Sequence, residues 1–192
     1  SEALVGRLQA IKTKHFPESL KDLKSADERL GFEELFELIL ASQYAKQDLA
    51  SQKGLRIPFD RAMAKEFVKH LPFTLTDTQK KAVWQIYQDM DSEKVMNRML
   101  EGDVGAGKTV VATMSAVMAL AKNYQVAFMA PTELLARQHA ETIFTLLEPL
   151  GFASKTVLLV GSMGIKEKAH AHEAIKTGQA LFIIGTHALI QD

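Results

Sequence analysis

The 192 residues contain no cysteine, which excludes a disulfide framework, zinc ribbons, iron–sulfur ligation and a thiol nucleophile. An excess of one charge is lacking too: 23 Lys and Arg balance 23 Asp and Glu. Cutting at Pro72 does not separate them, with 12 basic and 11 acidic residues before the cut. Neither half is a polycationic clamp, so any contact with nucleic acid must be local and geometric. No apolar run approaches the roughly 18 residues of a membrane span, and no basic-plus-apolar leader opens the sequence. These absences predict a soluble, cytoplasmic chain with no membrane partner. What is there, 47% hydrophobic and 24% charged residues, is the composition of a packed globular protein.

Two textures meet near Pro72, giving an expected helical region over 1–72 and an α/β region over 73–192. In the first, Leu30, Leu35, Leu38, Ile39 and Leu49 fall at helical spacing within Ala26–Gln52, and Gly54 stops the run. Asp60 reads as the N-cap of a short helix carrying Met63, Phe67 and Leu71, closed by Pro72. From Phe73 on, short apolar segments alternate with helices. Strands are expected at Val95–Glu101, Gln125–Ala130, Thr156–Val160 and Leu181–Gly185. Helices are expected at Asp77–Asp91, after Gly107, and at Thr132–Leu147 and Ile165–Thr177. This alternation predicts parallel βαβ units with right-handed crossovers.

Gly102-Asp103-Val104-Gly105-Ala106-Gly107-Lys108-Thr109 fits the P-loop pattern G-x-x-x-x-G-K-[ST], between an expected strand and a helix. Glycines let successive backbone N–H groups curl toward phosphate oxygens, and the helix N-terminus adds positive potential. Lys108 is expected to reach the β- and γ-phosphates and Thr109 to ligate Mg²⁺, which makes them the catalytic candidates. Upstream, Thr76 and Gln79 have the spacing of a capping box. An alternative role pairs Gln79 with Phe73 on the edge and face of an adenine. One amide serves both roles poorly, and spacing alone leaves both open. His170 and His172, two apart on a helix, do not share a face and form no metal pair. Met90, Met96, Met99, Met114 and Met118 read as packing residues, as does Trp84.

The words around the P-loop resemble the superfamily-two DNA helicases, and within them the RecG type, from about Leu20 to Asp192. The resemblance rests on Met96–Glu101 running into the P-loop, on Ala130-Pro131-Thr132-Glu133-Leu134-Leu135-Ala136-Arg137-Gln138-His139, and on Leu159-Val160-Gly161-Ser162. It also rests on Gly185-Thr186-His187-Ala188-Leu189-Ile190-Gln191, on Arg29–Leu35 as a linker helix, and on Leu71–Thr76 with Gln79 as an adenine segment. The resemblance implies a RecA-like, parallel-sheet P-loop lobe behind a helical linker, binding ATP and Mg²⁺. Its nucleotide contacts would be Phe73, Gln79 and Gly102 to Thr109. Pro131, Thr132, Glu133, Gly161, Ser162, Gly185, Thr186 and His187 would face the DNA backbone, without sequence readout. Val160 departs from the pattern, which usually has Thr there.

By the same resemblance, an acidic motif II and a second lobe are expected beyond Asp192. The chain then reads as a fragment of an ATP-dependent helicase that remodels stalled forks and branched DNA in repair and recombination. As such it would bind nucleotide weakly and hydrolyse essentially none. The intact protein is expected to be monomeric. The fragment's sheet is expected to have a gap or an exposed edge, open to pairing with another copy. Competing readings are the motor of a transcription-repair coupling translocase, a P-loop switch or kinase, and a non-hydrolysing nucleotide-binding or interaction module.

Overall fold

The structure is a computed structural model describing residues 4–189. Ile190 and Gln191, the end of the last helicase-like word, and Asp192 lie outside the described residues, as do the side chains of Leu49 and Ala188. The chain divides into two compact units, residues 1–53 and 54–192.

The first unit is a helical hairpin of α1 (Arg7–His15) and α2 (Leu20–Ser51). The second helix starts six residues before the expected Ala26. Ser19 explains the early start, since its hydroxyl accepts the Asp22 N–H and caps the helix. The hairpin closes on two small residues, Ala10 and Ala26, both buried. Ion pairs Lys14–Asp27, Arg7–Glu33 and Arg29–Glu33 flank the closure. Of the apolar residues that marked α2 as amphipathic, Leu35, Leu38 and Ile39 are exposed and Leu30 is half-buried. No described helix is long and apolar enough to cross a membrane.

The second unit begins with a connector and α3 (Arg61–Lys69). Asp60 caps α3 as expected, accepting the N–H groups of Ala62 and Met63 at 3.0 Å each. Phe67 is 2% exposed and belongs to the main core, with Ile57, Phe59, Met63 and Leu71 packed around it. The compact unit therefore starts at Gly54 rather than at Pro72. Asp91 ties the connector down, accepting from Arg56 Nε at 2.8 Å. That guanidinium holds its carboxyl below the usual aspartate range. Trp84 packs edge-on against Phe59, as a packing residue.

Next come α4 (Asp77–Met90), α5 (Lys108–Leu120), β1 (Val126–Met129), α6 (Glu133–Leu147), β2 (Thr156–Leu159), α7 (Ile165–Lys176) and β3 (Phe182–Gly185). The three strands form a parallel sheet in the order β1-β3-β2, with Val126 and Thr156 both opposite Phe182. The path goes from β1 past one position to β2, then back to β3. With right-handed crossovers, that reversal sends α6 and α7 to opposite faces of the sheet. The central strand is accordingly buried at every residue. Gly185 is required there, because a Cβ would lie 2.2 Å from the Leu159 carbonyl oxygen. Helix α5 is apolar almost all round and buries Val110, Val111, Met114 and Ala116 to Leu120 against this core.

One expected strand is absent. Val95–Glu101 has no ladder partner among the described residues and is not a strand. An extended segment becomes a strand only when a neighbour takes up its N–H and C=O groups, and here no described strand lies beside it. Instead the segment is held over α4 by Arg98, which pairs with Asp89 at 2.6 Å. Only Leu100 packs on the core. Met96 and Met99 are 40% and 82% exposed, so the packing role expected for them is corrected, whereas Met114 and Met118 are buried.

Candidate functional site

The turn Gly102–Gly107 curls through two left-handed residues, Gly105 at φ +82° and Gly107 at φ +77°. A side chain at either would be strained, and a Cβ at Gly107 would also lie 2.4 Å from Gln79 Nε2. Gly107 is the N-cap of α5 and supplies no capping side chain. The first-turn N–H groups of α5 therefore point into the turn without a side-chain acceptor, an arrangement that favours anions. Lys108 Nζ folds back into the same space, donating to the carbonyl oxygens of Gly102 and, at 2.8 Å, Asp103. Thr76, Gln79, Leu100, Glu101, Gly105 and Val111 help line a recess of about 420 Å³ around it. A nucleoside phosphate with its divalent cation fits these residues: bare helix N–H groups, an ammonium on replaceable carbonyls, and the half-buried Thr109 hydroxyl. Asp103 and Ala106 also line the recess, and Val104 is the fully exposed tip of the turn.

Gln79 divides its amide between the helix cap and the turn. Its oxygen accepts the Thr76 N–H at 2.9 Å, completing a capping box with the Thr76 hydroxyl. Its nitrogen donates to the Ala106 carbonyl at 3.0 Å and braces the turn. Phe73 is 47% exposed and lines a separate shallow recess with Val68, Leu71, Pro72 and Lys80.

A second group of loops emerges at the carboxyl ends of the three strands, where open parallel sheets place their ligands. After β1, Pro131 and Thr132 are exposed, and the Thr132 hydroxyl caps α6 by accepting the Leu135 N–H. After β2, Gly161 and Ser162 are exposed. Glu133 brings these two loops together: its carboxylate accepts both the Ser162 N–H, at 3.0 Å, and the Ser162 hydroxyl. Those bonds, with Arg137 and Lys168 nearby, hold the Glu133 carboxyl below the usual glutamate range. After β3, Thr186 is half-buried and His187 exposed. Gly185 does not reach the surface; its carbonyl accepts the Ala130 N–H within the sheet.

Three neighbours were not among the expected site residues. Arg137 donates to the Ser162 hydroxyl at 3.1 Å. Lys168 donates to the Gly161 carbonyl at 2.6 Å. His139 approaches Thr109. Arg137 had a local signal, since it follows Glu133 by one helical turn and shares its face. Lys168 and His139 had none, because their partners lie in other elements. Among the described residues, no cluster of acids and histidines could hold a metal ion by itself.

Residues 76–192 match the DEAD/DEAH box helicase family. The chain is 43% identical over 190 residues to the ATP-dependent DNA helicase RecG of Streptococcus pneumoniae, covering 98% of this chain and 28% of that protein. Against RecG of Thermotoga maritima the identity is 42% over 189 residues, covering 98% and 24%. A solved structure of RecG bound to a three-way DNA junction superposes with a TM-score of 0.81 at 41% identity, covering 99% of this chain and 26% of that one. The chain thus spans about a quarter of the length of the curated relatives it matches. The superposition accounts for a RecA-like lobe preceded by helices. The family match begins at the capping residue Thr76 and takes in the P-loop and all three strand-end loops. On that basis the chain belongs to the DEAD/DEAH box helicase family.

Proposed function

We propose that the chain carries the nucleotide-binding and strand-contacting surfaces of the first motor lobe of an ATP-dependent DNA helicase. The DNA is branched or forked, the work is repair and recombination, and the compartment is the cytoplasm. The observation that carries this reading is the bare N-terminus of α5 with Lys108 held on the Gly102 and Asp103 carbonyls.

In this reading Lys108 exchanges the loop carbonyls for the β- and γ-phosphates of ATP, and the backbone N–H groups of the turn take the remaining oxygens. Thr109 would hold the Mg²⁺ that comes with the nucleotide, and that cation would neutralise phosphate charge. Phe73 presents an open ring face for adenine, beside the Gln79 segment. Gln79 itself keeps the turn in shape through Ala106.

On the DNA side, Thr132 accepts a backbone N–H and keeps its own proton to donate to a phosphate. Pro131, Gly161, Ser162, Thr186 and His187 complete a backbone-reading surface, with Arg137 and Lys168 supplying positive charge. Glu133 repels phosphate, so its part is to hold the Ser162 loop in place. Gly185, buried in β3, keeps the strands close enough to set these loops side by side. The outer edges of β1 and β2 are the places where a further strand or second copy would add, which sedimentation would read.

The test is thermal melting with Mg²⁺-ADP, Mg²⁺-ATP and Mg²⁺-GTP, because a ligand of the folded state raises its stability with occupancy. An adenine-selective rise that Lys108→Ala abolishes is expected. No rise with any nucleotide would overturn the reading.

A further inference from the structure

Thr109 has a side-chain neighbour outside the P-loop. Its hydroxyl oxygen lies 3.4 Å from Nδ1 of His139, thirty residues further on and two turns into α6. The imidazole is half-buried and packs edge-on against Phe128 of β1, with ring centroids 5.2 Å apart. Packing against the sheet sets the plane of the ring, and the contact with the Thr109 hydroxyl marks the ring edge that carries Nδ1. Among the described residues, His139 is the side chain bonded to the Thr109 hydroxyl. Thr113 donates instead to the Thr109 carbonyl, at 2.8 Å, which serves the backbone and leaves the hydroxyl rotor free.

A threonine hydroxyl that ligates a divalent cation must turn a lone pair to the ion and send its proton elsewhere. A neutral imidazole protonated at Nε2 offers Nδ1 as the acceptor for that proton. We propose that His139 is a positioning residue for the nucleotide-bound divalent cation: Nδ1 accepts the Thr109 hydroxyl proton and sets the oxygen to face the ion. This rests on the nucleotide reading above. His139 touches neither phosphate nor cation in this role; it acts through Thr109, as outer-shell partners orient ligands in metal sites generally. Its position on α6 adds a mechanical link. The same helix holds Ser162 through Glu133 and Arg137. One rigid element therefore carries both the orienter of the cation ligand and the brace of the strand-facing loop.

The experiment follows the ADP-dependent rise in melting temperature of the chain while Mg²⁺ is titrated. His139→Phe keeps an aromatic ring against Phe128 and deletes the acceptor. His139→Ala deletes both, and His139→Asn restores an acceptor. His139→Phe and His139→Ala are expected to need about tenfold more Mg²⁺ for half the rise, the low end of what outer-shell partners contribute. His139→Asn is expected to recover most of that loss. The rise with ADP in EDTA is expected to be the same in all four chains, which a merely structural role for the ring would not give. In a Thr109→Ala background the substitutions are expected to add nothing, because the interaction they remove is already gone. An unchanged Mg²⁺ dependence in His139→Phe, or an equal loss in EDTA, overturns the inference while the nucleotide site stands. No ADP-dependent rise in the unsubstituted chain at any Mg²⁺ overturns both.

Discussion

Helices α5 and α6 both begin at a loop proposed to meet phosphate, but they begin in opposite ways. The N-terminus of α5 is bare: Gly107 caps it without a side chain, and a lysine rather than an acid occupies its first position. The N-terminus of α6 is closed by Thr132, followed by Glu133 in the first turn. The difference separates two kinds of proposed anion site. A bare, glycine-curled end leaves several N–H groups for one highly charged ligand. A capped end is stable by itself and offers one hydroxyl proton, suited to weak and repeated contact with a DNA backbone.

The largest effect should come from making the α5 end resemble an ordinary one. Gly107→Ala forces a left-handed alanine, which costs about 1–3 kcal/mol, and drives a Cβ into the Gln79 amide. Chemical denaturation is expected to read that loss, and melting with Mg²⁺-ADP should show no ligand shift. A variant that keeps both its stability and its shift would break the comparison. At the α6 end, Thr132→Ala should cost about 1 kcal/mol of stability while leaving the nucleotide shift in place, and Thr132→Ser should restore it. Loss of nucleotide binding in Thr132→Ala would show that the two ends are not separate sites.

Arg137→Ala should leave stability within about 0.5 kcal/mol but weaken binding to a forked DNA. The slope of log affinity against log salt is expected to fall by about one, as for the loss of one phosphate contact. An unchanged slope would remove Arg137 from the strand surface. The smallest effect concerns the Glu133 brace. Its folded-state carboxyl titrates below the ordinary value of 4.5, so its contribution is present above that pH. It is lost as pH falls through the depressed folded value. The melting-temperature gap between the unsubstituted chain and Glu133→Gln is therefore expected to hold at pH 6 and to close as pH is lowered below 4.5. A gap that widens would mean the carboxylate opposes the fold.

Much of the site was legible because its parts are close in sequence. The P-loop spans eight residues, and the caps at Asp60, Thr76 with Gln79, and Thr132 each close within three. Two features misled. The apolar run of α2 reads like a buried face, yet Leu35, Leu38 and Ile39 are exposed. Val95–Glu101 reads like a strand because β-compatible residues and a following P-loop both point that way, but pairing is not a property of the segment alone.

The amino-acid sequence by itself determined the helices, their caps, the glycine-rich P-loop turn and the alternation of strands with helices. These depend on backbone preferences and hydrogen bonds that close within a few residues. Only the tertiary structure decided that Gln79 splits its amide between cap and P-loop, and that Glu133 grips Ser162 across 29 positions. It alone placed His139 beside Thr109 and buried Gly185 under a neighbouring strand. Those outcomes join elements far apart in the chain, and their geometry exists only once the sheet order β1-β3-β2 has set the elements side by side.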